Sequence, residues 1–206
     1  MSPRETFLKY ADGAFQVKKD SQGTGVYLSD ANEALYQAFT DSLESVDDIE
    51  VLVELLGMSI PTAARDLRYD LWIPVLRRIH ALLGGDRDAK VAEVLVHLMY
   101  GEDEEAALAW DEAHDVYPSD PDVLKVGLIV AAVNRDDETL RICLDLLRVA
   151  DPGNPNLIHV ATLAEKEDWR GIQTRVGYPI RQNPWFDRAS KARKPGACMT
   201  AVWWAC

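Results

Sequence analysis

The sequence predicts an all-α protein of stacked antiparallel helical hairpins, with an irregular N-terminal arm and a C-terminal tail. Three observations carry this. Apolar residues recur at helical spacing through most of residues 29–176. Helix-start residues, Asp or Ser followed by acids, alternate with Gly and Pro stops. From Arg87 onward the pattern repeats: Pro118 and Pro152, Pro121 and Pro155, and Glu104 and Glu138 are each 34 residues apart. The chain divides into an arm (1–28), a divergent helical region (29–86), the repeats (87–176) and a basic tail (177–206).

Residues 1–28 are the least helical part. Phe15-Gln-Val17 and Gly25-Val-Tyr-Leu28 flank a Lys/Asp/Ser/Gly stretch that reads as a small hairpin or as an extended arm. Asp30 with Glu33 is a capping-box arrangement, and Ala34, Leu35, Ala38 and Phe39 follow at helical spacing. Ser45 and Asp48 repeat the capping pattern before Ile49–Leu56, which Gly57 is expected to stop. Pro61 opens a stretch over Thr62–Leu83. Pro74 should break or kink it, and Gly84-Gly85 end it.

The repeats predict helices over Val91–Tyr100, Ala106–Val116, Val123–Val133 and Leu140–Val149, with a less regular pair over Leu157–Glu165 and Asp168–Val176. The acidic runs Glu102–Glu105 and Asp136–Glu138 sit where helix dipoles favour negative charge, which explains them without catalysis. Pro121 is suited to the first helical position.

A helix–turn–helix period of 34 residues is the tetratricopeptide spacing. Residues 87–120 resemble that family in Gly101 at the turn, small Ala106 and Ala113, aromatic Trp110 and the closing Pro118. Residues 121–154 keep Asp136, Glu138 and Pro152, and put Leu140, Leu144 and Leu147 where Ala106, Trp110 and Ala113 stand. The resemblance implies a concave groove lined by the first helix of each pair. Its positions are Val91, Leu95, Leu98 and Met99; then Lys125, Ile129, Ala132 and Val133; then His159 and Leu163. A clamp of Lys and Asn side chains for a terminal carboxylate is not expected, because only Lys125 is available for it. A mostly apolar groove suits an amphipathic helix or an extended apolar peptide. The chain's own arm, its tail or a second copy are the other candidate occupants.

Charge narrows the partners. There are 22 Lys and Arg against 34 Asp and Glu, a net −12. Such a chain is a poor general binder of nucleic acid, which is held by cations on phosphates. The longest uncharged apolar run, Val126–Val133, is far short of a membrane span, and no secretory signal is seen. A cytoplasmic location is expected.

The tail differs from the body. Arg181, Arg188, Lys191, Arg193 and Lys194 against Asp187 make it +4, leaving −16 on residues 1–176. Residues 188–196 read as a flexible linker. The end, with Cys198, Met199, Thr200, Trp203, Trp204 and Cys206, reads as a docking peptide or as a site of modification. Its sulfurs are of the soft kind that Cu(I) takes, but the spacing fits no zinc pattern, and no metal or other cofactor is predicted.

Cys143 reads as a core residue. His80, His97, His114 and His159 have no helical metal-site spacing. Gly23-Thr-Gly25 and Gly84-Gly85 are not followed by Gly-Lys-Ser/Thr, and no hydrolase, zinc-protease or kinase set occurs. The expected function is therefore non-enzymatic: an adaptor or chaperone-like module holding an apolar segment of another protein. The alternative is a carrier whose Cys/Trp-rich end is modified or binds metal while the helices dock the modifying enzyme.

Overall fold

The computed structural model describes residues 2–12, 16–20, 23–27, 30–66, 71–176 and 183–192. The described residues form an all-α arrangement in which most neighbouring helices within each unit pack on one another, with one two-stranded ribbon. They fall into two compact units. One holds residues up to 82 and the end of the last helix from residue 189; the other spans residues 83–188.

In the first unit, α1 (Pro3–Asp12) replaces the expected irregular start. Its cause is local. Glu5 N donates to Ser2 Oγ at 3.3 Å, Ser2 N donates to Glu5 Oε2 at 2.8 Å, and Pro3 occupies the first turn. That is a capping box with proline placed where its missing N–H is not needed. β1 (Gln16–Asp20) and β2 (Gly23–Tyr27) pair antiparallel with Val17 opposite Val26, so the hairpin reading of the arm holds.

α2 (Asp30–Glu44), α3 (Ile49–Asp66) and α4 (Ile73–Leu82) follow. Phe7 and Tyr10 of α1 pack on Phe39 of α2 with ring centroids 5.7 and 6.1 Å apart. Glu50 N donates to Asp48 Oδ1, so α3 is capped by Asp48 and not by Ser45, whose hydroxyl donates to the Ser42 carbonyl instead.

One expected break is absent and one is present. Gly57 does not stop α3, which runs on through Pro61. A Cβ on Gly57 would lie 2.9 Å from the Ala189 carbonyl oxygen, so this glycine serves the close approach of α11 (Pro184–Ala192). The break expected at Pro74 is present, since α3 ends at Asp66 and α4 starts at Ile73. Pro74 lies in the first turn of α4, where proline is tolerated.

Near the start of the second unit Gly84 and Gly85 are both in left-handed backbone, at φ 64° and 104°. α5 (Arg87–Tyr100), α6 (Asp103–Val116), α7 (Pro121–Asn134) and α8 (Asp137–Ala150) are each 14 residues long. α9 (Asn156–Glu165) and α10 (Trp169–Val176) are shorter. α5 starts 34 residues before α7, and α6 starts 34 before α8. The N-caps repeat too. Asp86 accepts from Ala89 N, Asp120 from Asp122 N and Val123 N, and Asp136 from Glu138 N and Thr139 N. Gly101 ends α5 at φ 76°.

The third hairpin departs from the repeat. α10, rather than α9, packs along α7, while α9 touches α10 and, more lightly, α8. The 34-residue period stretches to 35 between the starts of α7 and α9 and shortens to 32 between α8 and α10.

Candidate functional site

The repeat is built around α7. Its sequence is apolar on every side, as expected of a helix surrounded by others, and α5, α6, α8 and α10 all pack against it. Trp110 of α6 fills the space beside it. Its Nε1 donates to the Val123 carbonyl at 2.9 Å, and its ring stacks on His114 at 4.9 Å. Gly127 makes the fit. A Cβ there would lie 2.5 Å from Trp110 Nε1 and 2.6 Å from Cys143 Sγ. The positions Ala106, Trp110 and Ala113 of the first pair, and Leu140, Leu144 and Leu147 of the second, are all buried.

Cys143 is therefore core, as its sequence setting predicts. Burial, with the Asp136 charge adding to it, pushes its thiol up to about 12 from an ordinary 9.0. Between those values the unfolded chain has lost the proton that the folded chain keeps. Stability from this group is thus intact below about pH 9 and falls by about 1.4 kcal/mol per pH unit above it. Urea unfolding from about pH 8 to pH 11 is expected to show that extra slope. Cys143→Ala should lack it; equal slopes in both proteins would contradict the assignment.

The expected groove is partly core. Residues 91–97 of α5 are buried without a break, nearly two full turns, so Val91 and Leu95 are interior residues and cannot line an open surface. Ala132 is buried as well. What stays accessible is a stripe on α7, Lys125, Ile129 and Val133, each half-buried. At i, i+4 and i+8 these lie on one face. Leu98, half-buried, and Met99, 38% exposed, stand at the C-terminal end of the neighbouring α5, Met99 being the repeat equivalent of Val133. His159 is exposed and Leu163 half-buried, but both are on α9, which does not take the place along α7 that the repeat assigns it. They do not extend the stripe.

The displaced α9 leaves a cleft against α8. It has two lobes of about 230 and 290 Å³ that share Arg148, Ala161 and Glu165. Leu140 and Leu144 form its α8 wall with Asp137, Arg141 and Asp145 along the rim. No sequence signal pointed to it, because it arises from how the third hairpin docks.

One end of the repeats is charged. Arg87 bonds Asp120 at 3.1 Å and Asp122 at 3.2 Å, and also Asp88, so it joins the start of α5 to the N-cap of α7. Burial works against its charge, but the hydrogen bond and charge of Asp120 and the charge of Asp88 outweigh it and raise its pKa. The segment before α11 docks here. Asn183, fully buried, donates to the Asp88 carbonyl at 2.7 Å and accepts from Trp185 N. Trp185 Nε1 donates to Asp86 Oδ1 at 2.7 Å, and Arg188 lies 4.8 Å over its ring. The expected flexible linker over residues 188–196 is accordingly corrected as far as Ala192, where α11 ends.

The remaining candidates have structural partners or none. His97 Nδ1 lies 2.8 Å from Glu102 Oε2, which ties the end of α5 to the start of α6. The acidic runs sit in the first turns of α6 and α8. Among the described residues no group of three His, Cys, Asp or Glu is placed to hold a metal, and no helix is long and apolar enough to cross a membrane. Cys198, Met199, Thr200, Trp203, Trp204 and Cys206 lie outside the described residues. No protein-family model, no curated protein and no solved structure matches this chain.

Proposed function

We propose that the chain is a non-enzymatic binding module, an adaptor or chaperone-like protein of the tetratricopeptide kind, that holds an apolar segment of another protein. The observation that carries this is the accessible stripe of Lys125, Ile129 and Val133 on α7, continued by Leu98 and Met99 of α5. α7 packs against α5, α6, α8 and α10, yet it keeps three consecutive one-turn positions half-open. Apolar residues grouped in this way at a surface mark contact with something. Lys125 at one end of the strip is already paired, 3.5 Å from Asp122 Oδ1 and 4.0 Å from Asp151 Oδ2, so the strip suits the apolar face of a partner helix.

Mass spectrometry of the protein from its host, under native and denaturing conditions, tests the reading. The native mass is expected to include a stoichiometric polypeptide that denaturation releases. Ile129→Lys with Val133→Lys should abolish it while leaving the helical circular dichroism unchanged. A mass change confined to residues 197–206 in denatured protein would instead support the carrier reading, and turnover without any partner would overturn both.

A further inference from the structure

The two ends of the α7 stripe differ in charge. At its start, beside Lys125, the carboxylates are matched. Arg87 bonds Asp88, Asp120 and Asp122, and Lys125 pairs with Asp122 and Asp151. At its finish, beyond Met99 and Val133, they are not. The turns over residues 101–105 and 134–138 hold seven carboxylates and one cation, Arg135. Two of the seven are engaged, Glu102 with His97 Nδ1 at 2.8 Å and Asp136 as the cap of α8. Asp103, Glu104, Glu105, Asp137 and Glu138 are exposed, and none has an ion pair among the described residues. The two turns meet at the stripe, because Asn134, the residue after Val133, donates from Nδ2 to the Asp103 carbonyl at 3.2 Å.

The first turns of α6 and α8 account for acids at these positions, but they do not neutralise them. Each short turn sets the end of one helix, α5 or α7, next to the start of the following one. The opposed ends of the two macrodipoles offset each other, and the side-chain charge remains. We propose that the segment held by the stripe is a basic amphipathic helix, with Lys or Arg grouped at one end of its apolar face, and that this end lies over the two acidic turns. The inference rests on the stripe being a binding surface and adds the charge and the direction of its partner. From Lys125 to Val133 the stripe spans about 12 Å at 1.5 Å per residue. Apolar contact over that length is small, so charge decides between segments with similar apolar faces. The −16 carried by residues 1–176 also draws a basic segment in before contact.

Fluorescence anisotropy of the full chain with three synthetic helices of about five turns tests this. All three carry the same leucine face, and one end holds lysines in the first, glutamines in the second and glutamates in the third. The lysine peptide is expected to bind about tenfold or more tighter than the glutamine peptide in about 50 mM salt, and the glutamate peptide weakest. The gap should close to less than about threefold in about 1 M salt, a measurement that needs no variant. Glu104→Gln with Glu105→Gln, and Asp137→Asn with Glu138→Gln, should each narrow the gap at low salt and leave the glutamine peptide's affinity unchanged. Ile129→Lys with Val133→Lys should abolish binding of all three. Equal affinities for the three peptides would overturn the inference and leave the stripe standing as a binding surface. A lysine peptide that still binds after Ile129→Lys with Val133→Lys is held by the acids alone, which would also overturn it. Failure of every peptide to bind, as when the chain's own tail or a second copy fills the stripe, would overturn the binding-surface reading and this inference together.

Discussion

Trp110→Ala is expected to destabilise the repeat unit by about 3–5 kcal/mol, read as a lower midpoint in urea unfolding with an unchanged slope. The side chain is 4% exposed and joins α6 to α7. Burying an aromatic of this size removes roughly 150–250 Å² from water, worth several kcal/mol at about 25 cal/mol per Å². The hydrogen bond is the smaller part. Val123 lies inside α7, so its carbonyl keeps the intrahelical bond and loses only a second donor. Trp110→Phe should consequently cost much less than Trp110→Ala. Gly127 supplies the coupling, since its missing Cβ is the space that the indole occupies. Gly127→Ala alone overpacks the site and should cost about 1–3 kcal/mol. In a Trp110→Ala background the same change no longer meets the indole and clashes only with Cys143 Sγ. The two substitutions are expected to be non-additive by about 0.5–3 kcal/mol, in the direction of rescue. Strict additivity would show that Trp110 and Gly127 do not share that space.

The same residues show how much of the fold is legible before coordinates. The positions of α5 to α8 follow from signals that act over a few residues: Asp caps, acidic first turns, Gly101 and the prolines. The repeat then makes each helix evidence for the next. Ser2-Pro-Arg-Glu5 and Asn183-Pro184 carry equally local start signals and mark α1 and α11, though the surrounding sequence reads as arm and tail. Gly57 is different. Its standard local meaning, a helix stop, is replaced by the tertiary setting, because it is needed for a backbone more than a hundred residues away, whereas Pro74 keeps its local meaning at the start of α4. The groove was legible only in part. Periodicity places Lys125, Ile129 and Val133 on one face of α7, but it does not reveal that Val91 and Leu95 are enclosed or that α10 replaces α9 along α7. Those depend on docking of whole hairpins, which leaves no mark at the spacing of three or four residues.

Trp185→Ala should release the start of α11 from the repeat unit, with a loss of about 3–5 kcal/mol if that docking is part of the cooperative core. The tryptophan is 5% exposed, and its Nε1 donates to the same Asp86 oxygen that caps α5 through Ala89 N. One carboxylate oxygen thus serves two donors, each at 2.7 Å. A hydrogen bond to a charged acceptor is worth about 1.5–3 kcal/mol, so Trp185→Phe isolates that share while keeping most of the ring. Asp86→Ala removes the indole's acceptor and the helix cap together and should cost more than Trp185→Phe. Combining the two should cost less than their sum, because the indole bond is lost in either. Hydrogen exchange distinguishes the two ways in which Trp185→Ala can act. If residues 183–188 belong to the core, amides across α5 and α7 lose protection together with theirs. If the segment opens by itself, the loss stays in α11 and the midpoint of global unfolding hardly moves. The buried Asn183, bonded to the Asp88 carbonyl 95 residues away, favours the first outcome. Freeing that segment alone would leave the Asp88 carbonyl without its side-chain donor and expose the ring that Arg188 covers.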